Sequence, residues 1–528
     1  MTQRAYLLTL AGLALAAAAG SRLDVMEVDA AQYAAMARDM LVQDDWRKLY
    51  HSGLDYLDKP PLLFWLSALS FKLCGVANWS YKLPSILFAF LGVMATERFT
   101  RLHHDAITAR RAGLMLGGSA AFLLMTNDVR CDAMLMGGVI TAIWAGTAFV
   151  EQRRWWQVIL FAGAVAAGLL AKGPMGLMAP ALAVGGHIVL ARRWAALRDA
   201  RWLLLPVLVG VAIWPMCVGL YEQHGTHGLR FFFWEQSFGR ITGENRWKDD
   251  SSVLFFTHEL LWQLLPWTLF VLAGLWSSVR ALMRREGLPE YASVTGAVLV
   301  FVALSLSRFK LPHYLYVALP LFAVMAARAW PAVRLRWMRV LHVVLAVLLV
   351  AVLMALLCWC FPHSFWPLVA LALGLIGWLG WRSWRRHGAD ALFTGTLALW
   401  IVIGIALNGL LYPQVLRYQA NAQAGRWAAE HGVARERFFG IDAGGNALNF
   451  YTGYPVRWLH GVEEALPLIA PGHVLYADED RYHEIIARAP KPIEVIRFDD
   501  YRVQLLSLDF ILPASRASTL RARYLIVY

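Results

Sequence analysis

Long apolar segments alternate with short clusters of basic residues over roughly the first 410 residues of the chain. Because a helix needs roughly 20 apolar residues to cross the hydrocarbon core of a bilayer, we predict about thirteen crossings. The predicted segments are residues 5–20, 82–99, 112–126, 133–150, 156–171, 174–190, 202–220, 253–279, 291–306, 313–329, 338–361, 364–381 and 390–411. The first follows Arg4 and resembles a signal peptide, but we expect it to stay in the protein as an uncleaved span.

Two further helical segments are predicted to lie on the outer membrane surface. Residues 62–75 are apolar but too short to cross with ease, and counting them as a span would reverse the side of every later basic loop. Residues 30–41 carry apolar side chains at helical spacing.

The basic clusters predict the orientation in the membrane. They lie at residues 101–111, 152–155, 191–201, 280–286, 328–339 and 381–387. Since Lys and Arg gather in cytoplasmic loops, these loops and the N-terminus are expected inside. Two sizeable loops, residues 21–61 and 221–252, then lie on the outer side. An odd number of crossings leaves the C-terminus outside as well.

The pattern changes after about residue 413, where apolar runs become short and alternate with polar segments. Residues 438–442, 473–476 and 493–498 are typical of strands, with helices or turns between them. The predicted fold is therefore an all-α polytopic membrane domain, residues 1–412, followed by a small α/β domain, residues 413–528, on the outer side.

Composition supports a membrane protein. Of the 528 residues, 59% are hydrophobic and 16% are charged, against about 25% charged residues in soluble domains. The net charge of +13 could indicate nucleic-acid binding, but much of the excess sits in the short basic loops, where topology and anionic lipid explain it. The five cysteines form no CxxC pair, so neither a disulfide framework nor a zinc ribbon is predicted.

Three aspartates on the predicted outer side are candidates for catalysis. Asp29 follows the first span, and a carboxylate there can act as a general base; its alternative role is the N-cap of a helix. Asp128 and Asp132 flank Arg130 in a short turn, and they would share one face if that turn were helical. Charges this close to hydrocarbon indicate function, although an internal salt-bridge cluster is the open alternative.

Cationic side chains on the same side are candidates for binding an anion. Two prolines after Lys59 fix an extended backbone, which would hold the ammonium group at the membrane boundary. Lys172, Lys310 and Arg240 lie in other outer turns or loops, and Tyr314 adds a hydroxyl donor. Together they could converge on a phosphate. Each one alone is equally consistent with an interfacial anchor.

The order of these motifs resembles that of bacterial membrane glycosyltransferases of the GT-C fold, in the group of the aminoarabinose (lipid A) transferases and protein mannosyltransferases. The resemblance covers roughly residues 1–410. The matching motifs are Asp29 with Tyr33, Lys59-Pro60-Pro61, Asp128 with Asp132, and Lys310-Leu311-Pro312-His313-Tyr314. The aminoarabinose transferases also carry a soluble outer domain after thirteen spans.

The resemblance implies a sugar donor linked to a polyprenyl phosphate such as undecaprenyl phosphate. It implies inverting transfer to lipid A or another envelope glycan, with the active site on the periplasmic face of the bacterial inner membrane. Asp29 would position or deprotonate the acceptor, and Asp132 would support the acceptor or the sugar. Asp128 is the third candidate catalytic residue. The residues implied to bind the donor phosphate are Lys59, Arg240, Tyr314, Lys310 and Lys172. No cofactor is implied, but a divalent metal ion stays open, with Asp58 and His258 as candidate ligands.

Two other functions stay open at this stage. One is protein O-mannosyltransfer, in the same class. The other is lipid or sugar transport. Transporters place polar groups near the bilayer midplane, often on broken helices, whereas the charged candidates here gather at one boundary, which favours an enzyme. The sequence leaves the sugar, the acceptor and the oligomeric state undetermined.

Overall fold

The computed structural model describes residues 1–236 and 251–528, and most of its first 415 residues are helical. The helices before the undescribed segment are α1 Gln3–Ser21, α2 Asp29–Gln43, α3 Leu62–Cys74, α4 Asn78–His103, α5 Ala106–Gly117, α6 Ala120–Asn127, α7 Cys131–Gln152, α8 Trp155–Lys172, α9 Met175–Leu190 and α10 Leu204–Arg230. Those after it, up to residue 415, are α11 Phe255–Gln263, α12 Thr268–Met283, α13 Ala292–Leu306, α14 Leu319–Ala329, α15 Arg336–Ala355, α16 Trp366–His387, α17 Ala389–Ala406 and α18 Tyr412–Val415.

Eight helical stretches among the described residues are long and apolar enough to cross a membrane. They are Gln3–Ser21, Asn78–His103, Cys131–Gln152, Trp155–Lys172, Ala200–Glu235, Pro312–Arg334, Arg336–Cys360 and Ala389–Tyr418. Further apolar helices are shorter: Leu62–Cys74, Met175–Leu190, Thr268–Met283, Ala292–Leu306 and Trp366–Arg382. A polytopic helical architecture is therefore confirmed, while the number of crossings stays a prediction.

Two of the predicted spans are each interrupted. The segment predicted at residues 112–126 breaks into α5 and α6, because Ser119 begins a new helix and its Oγ accepts the amide hydrogen of Phe122 at 3.2 Å. The segment predicted at residues 253–279 breaks into α11 and α12 around Pro266, which has no amide hydrogen to continue a helix.

The helix α7 occupies the centre of the bundle, and nearly all of its residues are buried. Small residues let its neighbours approach closely. A Cβ at Gly137 would lie 2.4 Å from the carbonyl oxygen of Phe88 on α4, so only glycine allows this packing. The first turn of α7, which carries Asp132, is thereby fixed against the surrounding helices.

The last hundred residues contain a five-stranded mixed sheet. Its strands are β3 Phe438–Ile441, β4 Arg457–Leu459, β5 Val474–Asp478, β6 Glu494–Asp500 and β7 Arg521–Val527. A separate small hairpin, β1 Tyr50–His51 with β2 Leu54–Asp55, lies between α2 and α3. The order across the sheet is β4-β3-β5-β7-β6, with β3 parallel to β4 and β5, and β7 antiparallel to β5 and β6. The three predicted strands correspond to β3, β5 and β6.

Short helices cover this sheet and connect it to residues 27–38, at the start of the chain segment between α1 and α3. They are α19 Ala420–Glu430, α20 Asn446–Thr452, α21 Val462–Ala465, α22 Glu479–Arg488, α23 Leu508–Ile511 and α24 Pro513–Thr519. The buried Arg38 of α2 donates to the carbonyl oxygens of Asn449 and Phe450 on α20. Residues separated by about 400 positions therefore fix the helix that begins at Asp29.

A carboxylate strengthens the same connection. The Glu27 side chain accepts hydrogen bonds from the backbone amides of Asn446 and Ala447, the latter at 3.1 Å. It also accepts one from Asn421 at 3.2 Å. Burial raises the pKa of Glu27 to about 7, against the opposing effect of these hydrogen bonds.

Candidate active site

Asp29 lies in the first turn of α2 and forms an ion pair with Arg130. Arg130 donates from Nε to Asp128 as well, at 2.9 Å. Burial opposes the charge of Arg130, but Asp128 and Asp29 outweigh that effect and raise its pKa. One guanidinium group therefore holds two of the predicted catalytic carboxylates. With its side chain 34% exposed, Asp29 stays accessible to a substrate.

The turn between α6 and α7 is extended, which corrects the helical option for Asp128 and Asp132. Arg130 has φ −132° and ψ 151°, and a helix begins only at Cys131. The two carboxylates consequently have different partners. Asp128 pairs with Arg130, while Asp132 pairs with Lys172.

Asp132 belongs to a buried polar group at the N-terminal end of α7. Its side chain is only 4% exposed, and its Oδ1 lies 2.5 Å from Nζ of Lys172, the last residue of α8. The other oxygen lies 3.7 Å from Nε2 of His313. Lys172 also sits 3.7 Å from the centre of the Tyr314 ring, within cation–π distance.

Lys59 approaches the same group from the loop between α2 and α3. Its Nζ lies 2.5 Å from Oδ2 of Asp58. Two residues further along the chain, Pro61 is the N-cap residue of α3. Burial opposes the charge of Lys59, but the neighbouring Asp58 and Tyr314 raise its pKa above the ordinary value. The ammonium group therefore stays charged at neutral pH and can bind an anion.

Two tyrosines lie near Asp29, Tyr33 buried and Tyr56 half-buried. Tyr33 of α2 packs edge to face on Phe64, with ring centres 5.6 Å apart, and Tyr56 packs on the same ring at 6.2 Å. Burial raises the pKa of both tyrosines, and the Asp29 and Asp58 charges act in the same direction. Both stay protonated and can donate hydrogen bonds.

The cationic groups described above lie around His313. Lys172, Arg130 and Lys59 all lie close enough to act electrostatically on it. Three cations, from the loop between α2 and α3, the turn before α7 and the end of α8, are thus gathered around His313, where Arg130 pairs with Asp29 and Lys172 with Asp132. Such an arrangement can bind an anionic group and orient a nucleophile next to it.

The remaining predicted residues have other surroundings. Lys310 is buried, and its Nζ donates to the carbonyl oxygen of Ser251 at 3.1 Å. His258 is 78% exposed and lies 3.6 Å from the neighbouring Glu259. Arg240 lies outside the described residues.

The two candidate metal ligands have separate neighbours. Asp58 pairs with Lys59, and Nδ1 of His258 lies 3.6 Å from Oε1 of Glu259. Over residues 1–236 and 251–528, no three His, Cys, Asp or Glu side chains are grouped in a way that could hold a metal ion.

Sequence reasoning did not assign roles to several residues that the structure places here. Arg130 is central, and its position between two aspartates in the sequence was the available signal. His313 stands inside the KLPHY motif. Glu27 carried no local signal, because its partners lie about 400 positions away, and Tyr56 belongs to no motif.

Comparison with known proteins supports this picture. Residues 58–218 match the family described as dolichyl-phosphate-mannose-protein mannosyltransferase. The chain is 26% identical over 306 residues to an undecaprenyl phosphate-alpha-4-amino-4-deoxy-L-arabinose arabinosyl transferase of Edwardsiella ictaluri, covering 56% of this chain and 53% of that protein. A protein of the same name from Serratia proteamaculans is 26% identical over 420 residues, covering 76% of this chain and 69% of that one. The chain spans about half the length of the first of these curated relatives.

The fold matches over nearly the whole chain. The crystal structure of ArnT from Cupriavidus metallidurans bound to undecaprenyl phosphate superposes with a TM-score of 0.76 and 19% sequence identity, covering 98% of this chain and 97% of that one. Its apo form gives 0.73 and 20% identity, covering 91% and 94%. The resemblance predicted from the motifs is thereby confirmed: in sequence and in fold, this chain is similar to the GT-C membrane glycosyltransferases of the aminoarabinose transferase and protein mannosyltransferase group.

Proposed function

We propose that the protein is an integral membrane glycosyltransferase that moves a sugar from a polyprenyl-phosphate donor to lipid A or another envelope glycan, with inversion. The observation that carries this proposal is the gathering of Lys59, Lys172 and Arg130 beside the accessible carboxylate of Asp29. The relatives named as undecaprenyl phosphate aminoarabinose transferases support the donor class.

The geometry suggests how the donor phosphate leaves. When the bond between sugar and phosphate breaks, negative charge builds up on the phosphate oxygens. Lys59, with its raised pKa, supplies a fixed positive charge, and Tyr314 offers a hydroxyl group nearby. Fixed charges in a partly dry site stabilise a developing anion without reorganisation of solvent. Lys172, which pairs with Asp132 and lies against the ring of Tyr314, adds positive charge to the same region.

Asp29 is the group proposed to position or deprotonate the acceptor. It is the more exposed of the two carboxylates that share Arg130, at 34% against 24% for Asp128. An acceptor hydroxyl group needs a base, whereas an acceptor phosphate is already ionised and needs only orientation. The contact with Arg130 orients the Asp29 side chain for either task.

The proposed setting is the outer face of the bacterial inner membrane. About thirteen crossings would place the acidic and cationic cluster on the periplasmic side, by the distribution of basic loops. Residues 1–412 would form the catalytic membrane domain. Residues 413–528, with their sheet, would form a periplasmic domain.

The test is a transfer assay on purified protein. The protein is incubated with an undecaprenyl-phosphate sugar and lipid A; release of undecaprenyl phosphate and the mass of lipid A are followed by mass spectrometry. We expect both products, and their loss in Asp29→Asn. Transport would instead move the donor while leaving it chemically intact.

A second candidate is protein O-mannosyltransfer, which is supported by the family match over residues 58–218. The same assay separates the two. Transfer to a Ser- and Thr-containing peptide from a polyprenyl-phosphate mannose, with no mass change of lipid A, would favour this second activity.

A further inference from the structure

A polar cavity separate from the group around His313 lies at the predicted outer end of α1. It has a volume of about 590 Å³ and opens between α1, the turn Leu407–Leu411 after α17, and α19. Its polar lining includes Arg22, Asp24, Asn408, Arg417 and Arg426. We call this space the rim cavity. Its volume falls within the range of about 300–1,000 Å³ that is typical of small-molecule sites.

The rim cavity carries an excess of positive charge. Arg426 is neutralised by Asp24, through two contacts of 2.5 Å each. Arg22 and Arg417 are exposed, and neither has a carboxylate partner within the described parts of the chain. Three guanidinium groups against one carboxylate leave two uncompensated positive charges. A phosphate monoester, at about −1.5 to −2, would compensate them.

The wall of the rim cavity is hydrogen-bonded to the residue that precedes the acidic centre of the active site. This centre consists of Asp29 and Asp128, which share Arg130. The Oδ1 of Asn408 accepts a hydrogen bond from Nδ2 of Asn127 at 2.6 Å, and its Nδ2 donates to the carbonyl oxygen of Ala16 at 2.7 Å. Asn127 directly precedes Asp128, which shares Arg130 with Asp29. Asn408 is buried within a π-helical turn, a feature that often marks functional sites.

The acidic centre therefore stands between two cationic regions. Lys59 and Lys172 lie near His313. The rim cavity is next to Asn127, which is hydrogen-bonded to Asn408 in its wall. A transferase that uses two anionic lipid substrates needs one binding region for each, with the reacting carboxylate between them.

We infer that the rim cavity binds a phosphate group of the acceptor lipid, an inference that rests on the proposed glycosyltransferase function. The planar forks of Arg22 and Arg417 suit phosphate oxygens. Pro413, which is exposed and also lines the cavity, gives the adjoining part of a lipid an apolar surface. Binding here would hold the acceptor headgroup on the side of Asn127, which precedes Asp128, without occupying the region around Lys59.

The experiment compares lipid binding by full-length protein in nanodiscs. The test variant is Arg22→Gln/Arg417→Gln, and the matched control is Arg435→Gln/Arg502→Gln, which removes two exposed arginines from the C-terminal part. Native mass spectrometry measures affinity for bisphosphorylated lipid A, lipid A without phosphates, phosphatidylglycerol and undecaprenyl phosphate. Size-exclusion chromatography checks folding, and Arg417→Gln alone replaces the double variant if that one aggregates.

The expected result is that the test variant binds bisphosphorylated lipid A about tenfold more weakly, as removal of two charged contacts predicts. Affinity for undecaprenyl phosphate should stay unchanged, and the control should match the wild type. In the transfer assay, KM for lipid A should rise while KM for the donor is unaffected.

Three results would overturn the inference: unchanged lipid A binding, an equal loss for lipid A without phosphates, or a loss confined to phosphatidylglycerol. The binding measurement requires no turnover. A wild-type protein that binds lipid A through these arginines but releases no undecaprenyl phosphate would refute the proposed function and leave the rim cavity assigned.

Discussion

The Lys172→Met substitution tests whether the buried pair with Asp132 organises the site. The two charged atoms lie 2.5 Å apart, and the side chains are 14% and 4% exposed. At an effective dielectric constant of ~20, unit charges at this separation attract each other by about 7 kcal/mol. Loss of hydration offsets several kcal/mol for each ion, so the pair itself is close to neutral for stability. Removing only Lys172, however, leaves a buried carboxylate with His313 as its nearest cationic candidate.

We therefore expect Lys172→Met to lower the free energy of unfolding by about 3–5 kcal/mol. Asp132→Asn should cost less, since Lys172 keeps its contact with the Tyr314 ring. The double variant Asp132→Asn/Lys172→Met should lie within about 1 kcal/mol of the wild type, because no buried charge is left unpaired.

Unfolding in mixed detergent micelles with increasing dodecyl sulfate measures these differences, and the double-mutant cycle isolates the pairwise coupling. Equal destabilisation by Lys172→Met alone and by the double variant would refute the reasoning. It would mean that the packing of the lysine stem, and not its charge, carries the effect.

Three further predictions concern single residues. Asp29→Asn should lower transfer by at least about 100-fold with unchanged chromatographic behaviour, because the acceptor loses its base or orienting charge; turnover at the wild-type rate would exclude a catalytic Asp29. Lys59→Ala should raise KM for the undecaprenyl-phosphate sugar, and Lys59→Arg should bring this KM part of the way back to the wild-type value. An unchanged KM for the donor in Lys59→Ala would contradict the phosphate role. Burial raises the pKa of Glu27 from 4.5 to about 7, so protonation of this side chain favours the folded state. The resulting gain in the free energy of unfolding is complete below about pH 4.5 and is lost as pH rises through about 7. Glu27→Gln should flatten this pH dependence of the melting temperature, whereas Glu494→Gln, at an exposed position, should leave it intact.

Much of the fold followed from local patterns in the sequence. Apolar length predicted where helices lie, and every predicted segment contains helix. Strand-like alternation predicted β3, β5 and β6, because these runs carry their own signal. The strands β4 and β7 were missed: β4 has only three residues, and β7 begins with the charged stretch Arg521–Arg523. The motif order also pointed to the correct group of relatives.

The sequence by itself determined which residue types stand near the predicted outer boundary: Asp29, Lys59, Asp132 and Tyr314 were all identified there from motifs and sidedness. Only the tertiary structure decided how they pair. It showed that Arg130 joins Asp29 to Asp128, that Lys172 belongs to Asp132, and that Glu27 receives hydrogen bonds from residues about 420 positions away. The physical reason is that helical periodicity and hydropathy are properties of neighbouring residues, whereas the partner of a buried charge depends on which distant helix ends the packing brings within hydrogen-bond distance.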